Sequence, residues 1–332
     1  MHRHQPAPAL ASASTPSSLY AICEQYVNHW LVVVNAWFGH VVVMANIKFL
    51  QSGVLVATFG ILAGCAGAHD KSTTGNLPAA DDASTRKQEV VALLNSIQSG
   101  DPGPVAVVNP DKFIQHDLNE ADGLAGFGAV LAQLPKGSAR VNNVRVFADG
   151  DFVFTHTDYD FFGPKIGFDI FRFENGKIVE HWDNLQVTPS APNASGHTMI
   201  DGPTEASDLD QTEANKRVVT AFLNDVLVQG HGEKLADYAE PDFEQHNAKE
   251  ADGISGLTQA LASGAVAIKF DTVHRVLGEG SFVLACSEGT FNGAHSAFYD
   301  LFRMHAGKVA EHWDTIETIP PQAEWKNQNG KF

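Results

Sequence analysis

Two stretches of this chain repeat each other, and that repeat constrains the fold more than any other feature. Phe113-Ile114-Gln115-His116 returns as Phe243-Glu244-Gln245-His246, and Glu120-Ala121-Asp122-Gly123 as Glu250-Ala251-Asp252-Gly253, both at an offset of 130 residues. Phe171-Arg172 returns as Phe302-Arg303, and Glu180-His181-Trp182-Asp183 as Glu311-His312-Trp313-Asp314, at 131. Self-similarity of this kind means one structural unit built twice. The copies run over 85–189 and 212–320, with a linker at 190–211 rich in Pro, Ser, Gly and Asp, and a tail at 321–332. With 44% hydrophobic residues, each copy has enough apolar side chains for its own core.

Each copy opens with an amphipathic helix. Val90, Leu93, Leu94 and Ile97 fall at i, i+3, i+4 and i+7, and Val219, Phe222, Leu223 and Val226 repeat the stripe. Thr85 and Gln88 have capping-box spacing. Short helices are expected near 103–108 and 232–239. The Phe-x-Gln-His segments read as strands. Asp122 and Asp252 are expected to cap further helices that turn Leu124, Phe127 and Leu131, or Ile254, Leu257 and Leu261, inward. The remainder of each copy reads as hairpins, with Asp149-Gly150 and Asn175-Gly176 as the strongest turn signals. Helices followed by a meander of strands predict an α+β fold.

These motifs resemble the SnoaL-like polyketide cyclase branch of the nuclear-transport-factor-2-like superfamily. The resemblance rests on the Gln-His…Asp-Gly segment and on Asp-x-Phe-Arg…Glu-His-Trp-Asp, and it covers both copies. It implies two tandem cone-shaped domains, each with N-terminal helices packed on a curved antiparallel sheet and a pocket in the mouth. The superfamily hosts enzymes and binding modules alike, so fold does not fix activity. In its cyclases a strand Asp moves protons with help from a His on a neighbouring strand. Asp169 and His156 match those two positions, and His116 is a third candidate.

The Asn175-Gly176 turn predicts a register. Glu174 pairs with Lys177, Phe173 with Ile178, and, stepping outward in an unbroken ladder, Phe171 with Glu180 and Asp169 with Trp182. One face then carries Asp169, Phe171, Phe173, Glu180 and Trp182, and the other Ile170, Arg172, Val179, His181 and Asp183. Phe171, Glu180 and Trp182 are therefore expected to line the pocket of the first copy, and His246, Asp300 and Trp313 that of the second. Asp169, desolvated among Phe and Trp, suits acid–base chemistry; a structural carboxylate bonded to Trp182 or to backbone is the alternative. Arg172 shares a face with His181 and Asp183, which points to a buried Arg–Asp pair rather than a metal. The two copies are expected to meet through that face, with Arg172, His181 and Asp183 opposite Arg303, His312 and Asp314. In the second copy Cys286 stands where the first has His156, which restricts the expected chemistry to the first copy.

Two functions fit. One is a cofactor-free cyclase or isomerase acting on a small apolar carbonyl compound in an aldol-like reaction. The other is a non-catalytic ligand-binding or scaffold protein. No P-loop, nucleophile elbow or dinucleotide fingerprint is present, and no metal or cofactor is expected. The net charge is −17 and there is no basic run, so nucleic acid is not an expected partner. Cys23, Cys65 and Cys286 show neither metal nor disulfide spacing.

The N-terminal segment carries an address. Lys48 precedes an apolar run from Val54 to Leu62, and Leu62-Ala63-Gly64-Cys65 resembles a bacterial lipobox. The reading is a signal peptide at 44–65, lipidation of Cys65 and a small, polar tether at 66–84. An uncleaved membrane anchor is the alternative. Residues 1–43 fit a lipoprotein signal poorly and are read as an extension ahead of the true start at Met44; a pair of membrane-associated segments, the second apolar run being Trp30 to Val43, is the alternative. Ala66 after the cysteine resembles lipoproteins of the outer membrane, so the expected location is the cell envelope, lipid-anchored and facing the periplasm. Mass spectrometry of membrane-extracted protein is expected to find a lipidated N-terminal Cys65; an unmodified N-terminus at Met1 refutes the address.

Overall fold

The structure is a computed structural model and describes residues 83–135, 137–263 and 267–332. Cys65, the signal segment and most of the tether lie outside the described residues. Among the described residues no helix is long and apolar enough to cross a membrane. The first repeat comprises α1 (Ala83–Ser99), β1 (Ile114–Gln115), α2 (Gly123–Leu131), β2 (Arg140–Asp149), β3 (Phe152–Asp160), β4 (Pro164–Glu174) and β5 (Lys177–Val187). The second comprises α3 (Thr212–Phe222), α4 (Leu235–Tyr238), β6 (Ala239–Gln245), α5 (Gly253–Ala262), β7 (Ile268–Glu279), β8 (Phe282–Phe291), β9 (Ala294–His305) and β10 (Lys308–Thr318). Each repeat forms a five-stranded sheet, in the orders β1-β5-β4-β3-β2 and β6-β10-β9-β8-β7. The β1–β5 and β6–β10 pairs are parallel, so the sheets are mixed rather than wholly antiparallel.

The helical stripes are buried as their periodicity requires. Val90, Leu93 and Leu94 of α1 join Phe113, Val153, Phe171 and Phe173 in one cluster, and Val219, Phe222 and Leu223 join Phe243, Val283 and Phe302 in its counterpart. Helix α1 already includes Ala83, so Thr85 sits inside it rather than capping it. Asp122 and Asp252 do occupy the N-cap positions of α2 and α5, but neither caps its helix with a side-chain bond. Their carboxylates instead accept the N–H of Gln115 (2.9 Å) and of Gln245 (3.0 Å), tying each helix to its parallel strand. Leu261 is exposed, contrary to its place in the expected stripe.

The β4–β5 hairpin corrects the predicted register. Asn175 and Gly176 both have positive φ (52° and 71°), the conformation a two-residue hairpin turn demands, and Glu174 pairs with Lys177. Phe173 pairs with Ile178, but Arg172 then pairs with Glu180, leaving Val179 as a bulge. From there every partner differs from the unbroken ladder: Phe171 meets His181, Ile170 meets Trp182 and Asp169 meets Asp183. The second repeat carries the same bulge at Ala310, so Asp300 meets Asp314. One extra residue exchanges the faces of a strand. His181 and Asp183 therefore share the helix-side face with Asp169, while Glu180 and Trp182 turn to the other side.

That other side is where the two repeats touch. Phe147, Phe154, Phe168, Ile170 and Trp182 form one cluster with Phe282, Leu284, Tyr299, Leu301 and Trp313. Arg145 of the first repeat lies 4.2 Å above the ring of Trp313, and Arg275 of the second lies 3.9 Å above Trp182. His116 and His246 stack on the same two indoles, each at 4.6 Å. The expected meeting of Arg172, His181 and Asp183 with Arg303, His312 and Asp314 does not occur: Arg172 bonds Glu180, and Arg303 bonds Glu311, each within its own sheet.

The segment between the repeats is a structured strap rather than a free linker. Asn193 donates to the carbonyl of Gln245 (2.5 Å), and the Thr198 carbonyl faces His246 Nδ1 at 2.7 Å. The C-terminal tail does the same to the first repeat: Asn327 donates to the carbonyls of Asp117 (2.7 Å) and Glu120 (3.0 Å), and the Gly330 carbonyl faces His116 Nδ1 at 2.8 Å. Arg145, 1% exposed, closes the first strap by donating to the carbonyls of Pro203 (2.7 Å) and Asp201. Arg145→Leu leaves the Pro203 carbonyl without its donor, leaves the Asp201 carbonyl only the Trp313 indole N–H at 3.0 Å, and removes the stack on Trp313. The expected loss of stability is about 2–4 kcal/mol, read by urea denaturation.

Candidate functional site

A cavity of about 550 Å³, counting its open mouth, lies between the first sheet and its helices. Its walls are apolar, with Leu93, Leu94, Phe113, Phe127, Phe161 and Phe171 among them. The polar groups in that lining are Glu120, Tyr159, Asp169, His181 and Asp183. Strand alternation places Tyr159, Asp169, His181 and Asp183 there, the last two through the Val179 bulge.

Asp169 is 5% exposed and accepts from two hydroxyls, Tyr159 at 2.7 Å and Thr155 at 3.1 Å. His181 Nε2 lies 3.4 Å from its other oxygen. His181 Nδ1 lies 2.9 Å from Gln115 Oε1, which also accepts the backbone N–H groups of His116 and Asp117. An oxygen loaded this way can only accept, so Nδ1 carries a proton and Nε2 is the nitrogen free to exchange one with Asp169. Gln115 Nε2 in turn donates to Glu120 at 2.7 Å. Burial, with Asp117 close by, raises the Glu120 pKa to about 7. Burial and Asp117 also push Asp183 well above the usual carboxylate range, against the pull of Lys331, which reaches it at 3.5 Å from the C-terminal tail. The cavity thus holds an Asp–His pair in hydrogen-bond contact beside a carboxyl poised near neutral pH.

Of the residues singled out from sequence, Asp169 and Phe171 line this cavity. His156 does not. It pairs next to Asp169's neighbour Phe168 on the adjacent strand, faces the second repeat and stacks on Phe168 at 4.4 Å. Its Nδ1 accepts from Arg145 at 3.0 Å, and Nε2 has no partner among the described residues. Burial and then the Arg145 charge hold its pKa well below the ordinary value, so it stays neutral. His116 also lies on the far side, between Trp182, Glu180 and Gly330, with burial lowering its pKa. Glu180 and Trp182, and His246 and Trp313 in the second repeat, belong to the junction between repeats rather than to a pocket. Asp300 occupies the helix-side position equivalent to Asp169, 3.1 Å from His312. Sequence reasoning missed His181, Tyr159, Glu120 and Gln115. The repeat of Gln115 and Glu120 as Gln245 and Glu250 was the available signal for two of them.

Residues 90–181 match the model of the SnoaL-like domain. The first repeat is a SnoaL-like domain. The second has the same strand order and the same bulged hairpin, as a tandem duplication of that domain requires. No curated protein matches the chain significantly. Among solved structures, the chain is similar to an NTF-2 like protein of unknown function from Burkholderia xenovorans, at 20% identity over 36% of this chain and 97% of that one, with a TM-score of 0.29. An LEH-like epoxide hydrolase from M. tuberculosis is 18% identical over 32% of this chain and 85% of that one, TM-score 0.28. A SnoaL-like polyketide cyclase from Agrobacterium tumefaciens is 12% identical over 31% and 91%, TM-score 0.26.

The Glu120 network makes a measurable statement. Its folded pKa of about 7 lies above the ordinary carboxylate value, and Glu250 is raised to about 7 by the same burial in the second SnoaL-like unit. A raised carboxyl pKa means the neutral form favours folding, so this contribution is complete at low pH and is lost as pH rises towards 7. Among the carboxyls that carbon-detected NMR finds titrating well above the usual range, two near pH 7 are expected to belong to these glutamates, one signal vanishing in Glu120→Gln and the other in Glu250→Gln.

Proposed function

We propose that the first SnoaL-like unit is a cofactor-free acid–base catalyst of the cyclase or isomerase type, acting on a small apolar carbonyl compound. The observation that carries this reading is the Asp169–His181 pair in the wall of an otherwise apolar cavity. Asp169, as the carboxylate, removes a proton from the carbon beside the substrate carbonyl, giving an enolate. His181 Nε2 shares that proton. The enolate carbon either recovers a proton at a new position or attacks a second carbonyl, and in the latter case the resulting alkoxide takes its proton from neutral Glu120. Tyr159 and Thr155 hold the Asp169 carboxylate in place. Desolvation by the surrounding Phe and Leu side chains strengthens each of these interactions. The proposal also keeps the envelope address, with lipidated Cys65 holding the catalyst at the membrane and the substrate arriving from the periplasm.

The test is turnover of a panel of small cyclic and open-chain carbonyl compounds. Asp169→Asn is expected to lower kcat by about 10²–10⁴-fold, as loss of a positioned proton-transfer group does. His181→Gln should fall in the same direction, whereas His156→Gln, on the far face, should keep kcat/KM close to wild type in the folded protein. The rate should decline above pH 7 as Glu120 ionises, and Glu120→Gln should lower the rate while removing that decline. Full activity in Asp169→Asn overturns the assignment. Tight binding without turnover by the wild type, competed by compounds that fill the cavity, identifies a binding protein instead.

A further inference from the structure

The two SnoaL-like units share a framework but not its electrostatic balance. In the first, both oxygens of Asp169 are bonded, to Tyr159, Thr155 and His181, and Asp183 has Lys331 beside it. In the second, Thr155 is replaced by Ala285, Tyr159 by Gly289 and Asp117 by Asn247. His197 follows Asn193 by four residues, as Lys331 follows Asn327, but it bonds Asp252 instead. Asp300 and Asp314 are 4% and 6% exposed, yet Asp300 Oδ2 and Asp314 Oδ1 have no partner among the described residues. Beside these two carboxylates stands the His312 imidazole, 3.1 Å from Asp300 Oδ1, and, among the described residues, no buried ammonium, so the second oxygen of each carboxylate is left for a cation to complete.

The geometry around them is that of a ligand set. Asp300, His312 and Asp314 each offer one donor atom, and all three atoms lie within 4.8 Å of one another. His312 Nδ1 faces Gln245 Oε1 at 3.0 Å, an acceptor already loaded by the backbone N–H of Asn247, so Nδ1 keeps a proton and Nε2, 3.1 Å from Asp300 Oδ1, is the nitrogen that gives up its proton when an ion binds. Asn247 donates to Asp314 Oδ2 at 2.7 Å, which turns Oδ1 towards the other two ligands. We propose that Asp300, His312 and Asp314 bind a divalent transition-metal cation in the second SnoaL-like unit. Two carboxylate oxygens and one imidazole nitrogen suit zinc or its first-row neighbours, and leave a position open for water or a ligand. The first unit, with its hydroxyls and Lys331, is built to do without the ion.

The experiment is calorimetric titration of the metal-stripped full chain with Zn2+. One saturable site per chain is expected, weakened at least about 100-fold in Asp300→Asn and in Asp314→Asn, the usual scale for loss of a ligand or its support. His197→Ala, which breaks the other candidate group of His197, Glu244 and His246, should leave that site intact. Zinc should also raise the Tm of the wild type and not that of Asp314→Asn. Should the Asn variants fail to fold, zinc-edge X-ray absorption of the wild type decides: one imidazole and two carboxylates are expected. No saturable binding, binding unchanged in both Asn variants, or binding lost in His197→Ala overturns the proposal.

Discussion

A single inserted residue in β5 decides what this protein can do. Val179 has no partner across the β4–β5 ladder, and everything beyond it in β5 is displaced by one position. The four residues Glu180-His181-Trp182-Asp183 are sorted accordingly: His and Asp enter the cavity, Glu and Trp enter the junction with the other repeat. In an unbroken ladder the sorting would be reversed. Trp182 would then fill the cavity, and His181 and Asp183 would be forced against an apolar neighbour without partners, at a cost of several kcal/mol for a buried charge. The bulge is stabilised because Val179 itself is 1% exposed and so loses nothing hydrophobic by stepping out of the ladder.

The junction then binds the cavity's fate to the second repeat. Each repeat contributes an arginine to the other's indole and a strap to the other's Gln-His strand. The C-terminal strap reaches further: Asn329 donates to the Gln115 carbonyl and to Asp122, and Lys331 sits between Asp183 and Glu317. Although burial works against it, Lys331 is held in its charged form by Glu317 and Asp183. The first cavity is therefore completed by residues that lie some two hundred positions away in sequence, and duplication within one chain fixes that complement at no loss of association entropy.

How much of this was legible in the sequence follows from what each signal constrains. Turn chemistry at Asn175-Gly176 correctly sets the first two pairs, because positive φ at both central residues admits one kind of hairpin. It says nothing about a bulge at an apolar residue among apolar neighbours, so the ladder was continued one step too far and Glu180 and Trp182 were assigned to the wrong face. Asp169 was placed next to the cavity by its own strand, which is unbulged. His156 was placed by resemblance to a pattern of positions, and alternation along β3 puts it opposite Asp169's face, since its neighbour Thr155 is the residue that pairs with Asp169. The straps carried a visible signal that went unused. Asn193-Ala194-Ser195-Gly196 and Asn327-Gln328-Asn329-Gly330 repeat each other, both ending on a glycine at positive φ (94° and 81°).

The divergence between the repeats has a physical direction. Both keep the Gln–His–Asp relay, with Gln115 or Gln245 fixing the imidazole tautomer and Glu120 or Glu250 beneath it. What differs is the means of neutralising the second carboxylate and of filling the hydrogen-bonding capacity of the first. The first repeat uses hydroxyl donors and an ammonium, all covalently part of the chain. The second has Ala285 and Gly289 where those hydroxyls stood, and a histidine where the ammonium stood. Those replacements remove donors, while Asn247 in place of Asp117 removes one neighbouring carboxylate and donates to Asp314; Asp300 and Asp314 themselves are kept. A duplicated pocket that had merely decayed would lose buried charges early, because unpaired they destabilise the fold that the hydrophobic junction otherwise secures. Asp300 and Asp314 persist, paired on one side with His312 and Asn247 and each with one oxygen unbonded among the described residues, which is where the proposed ion would attach.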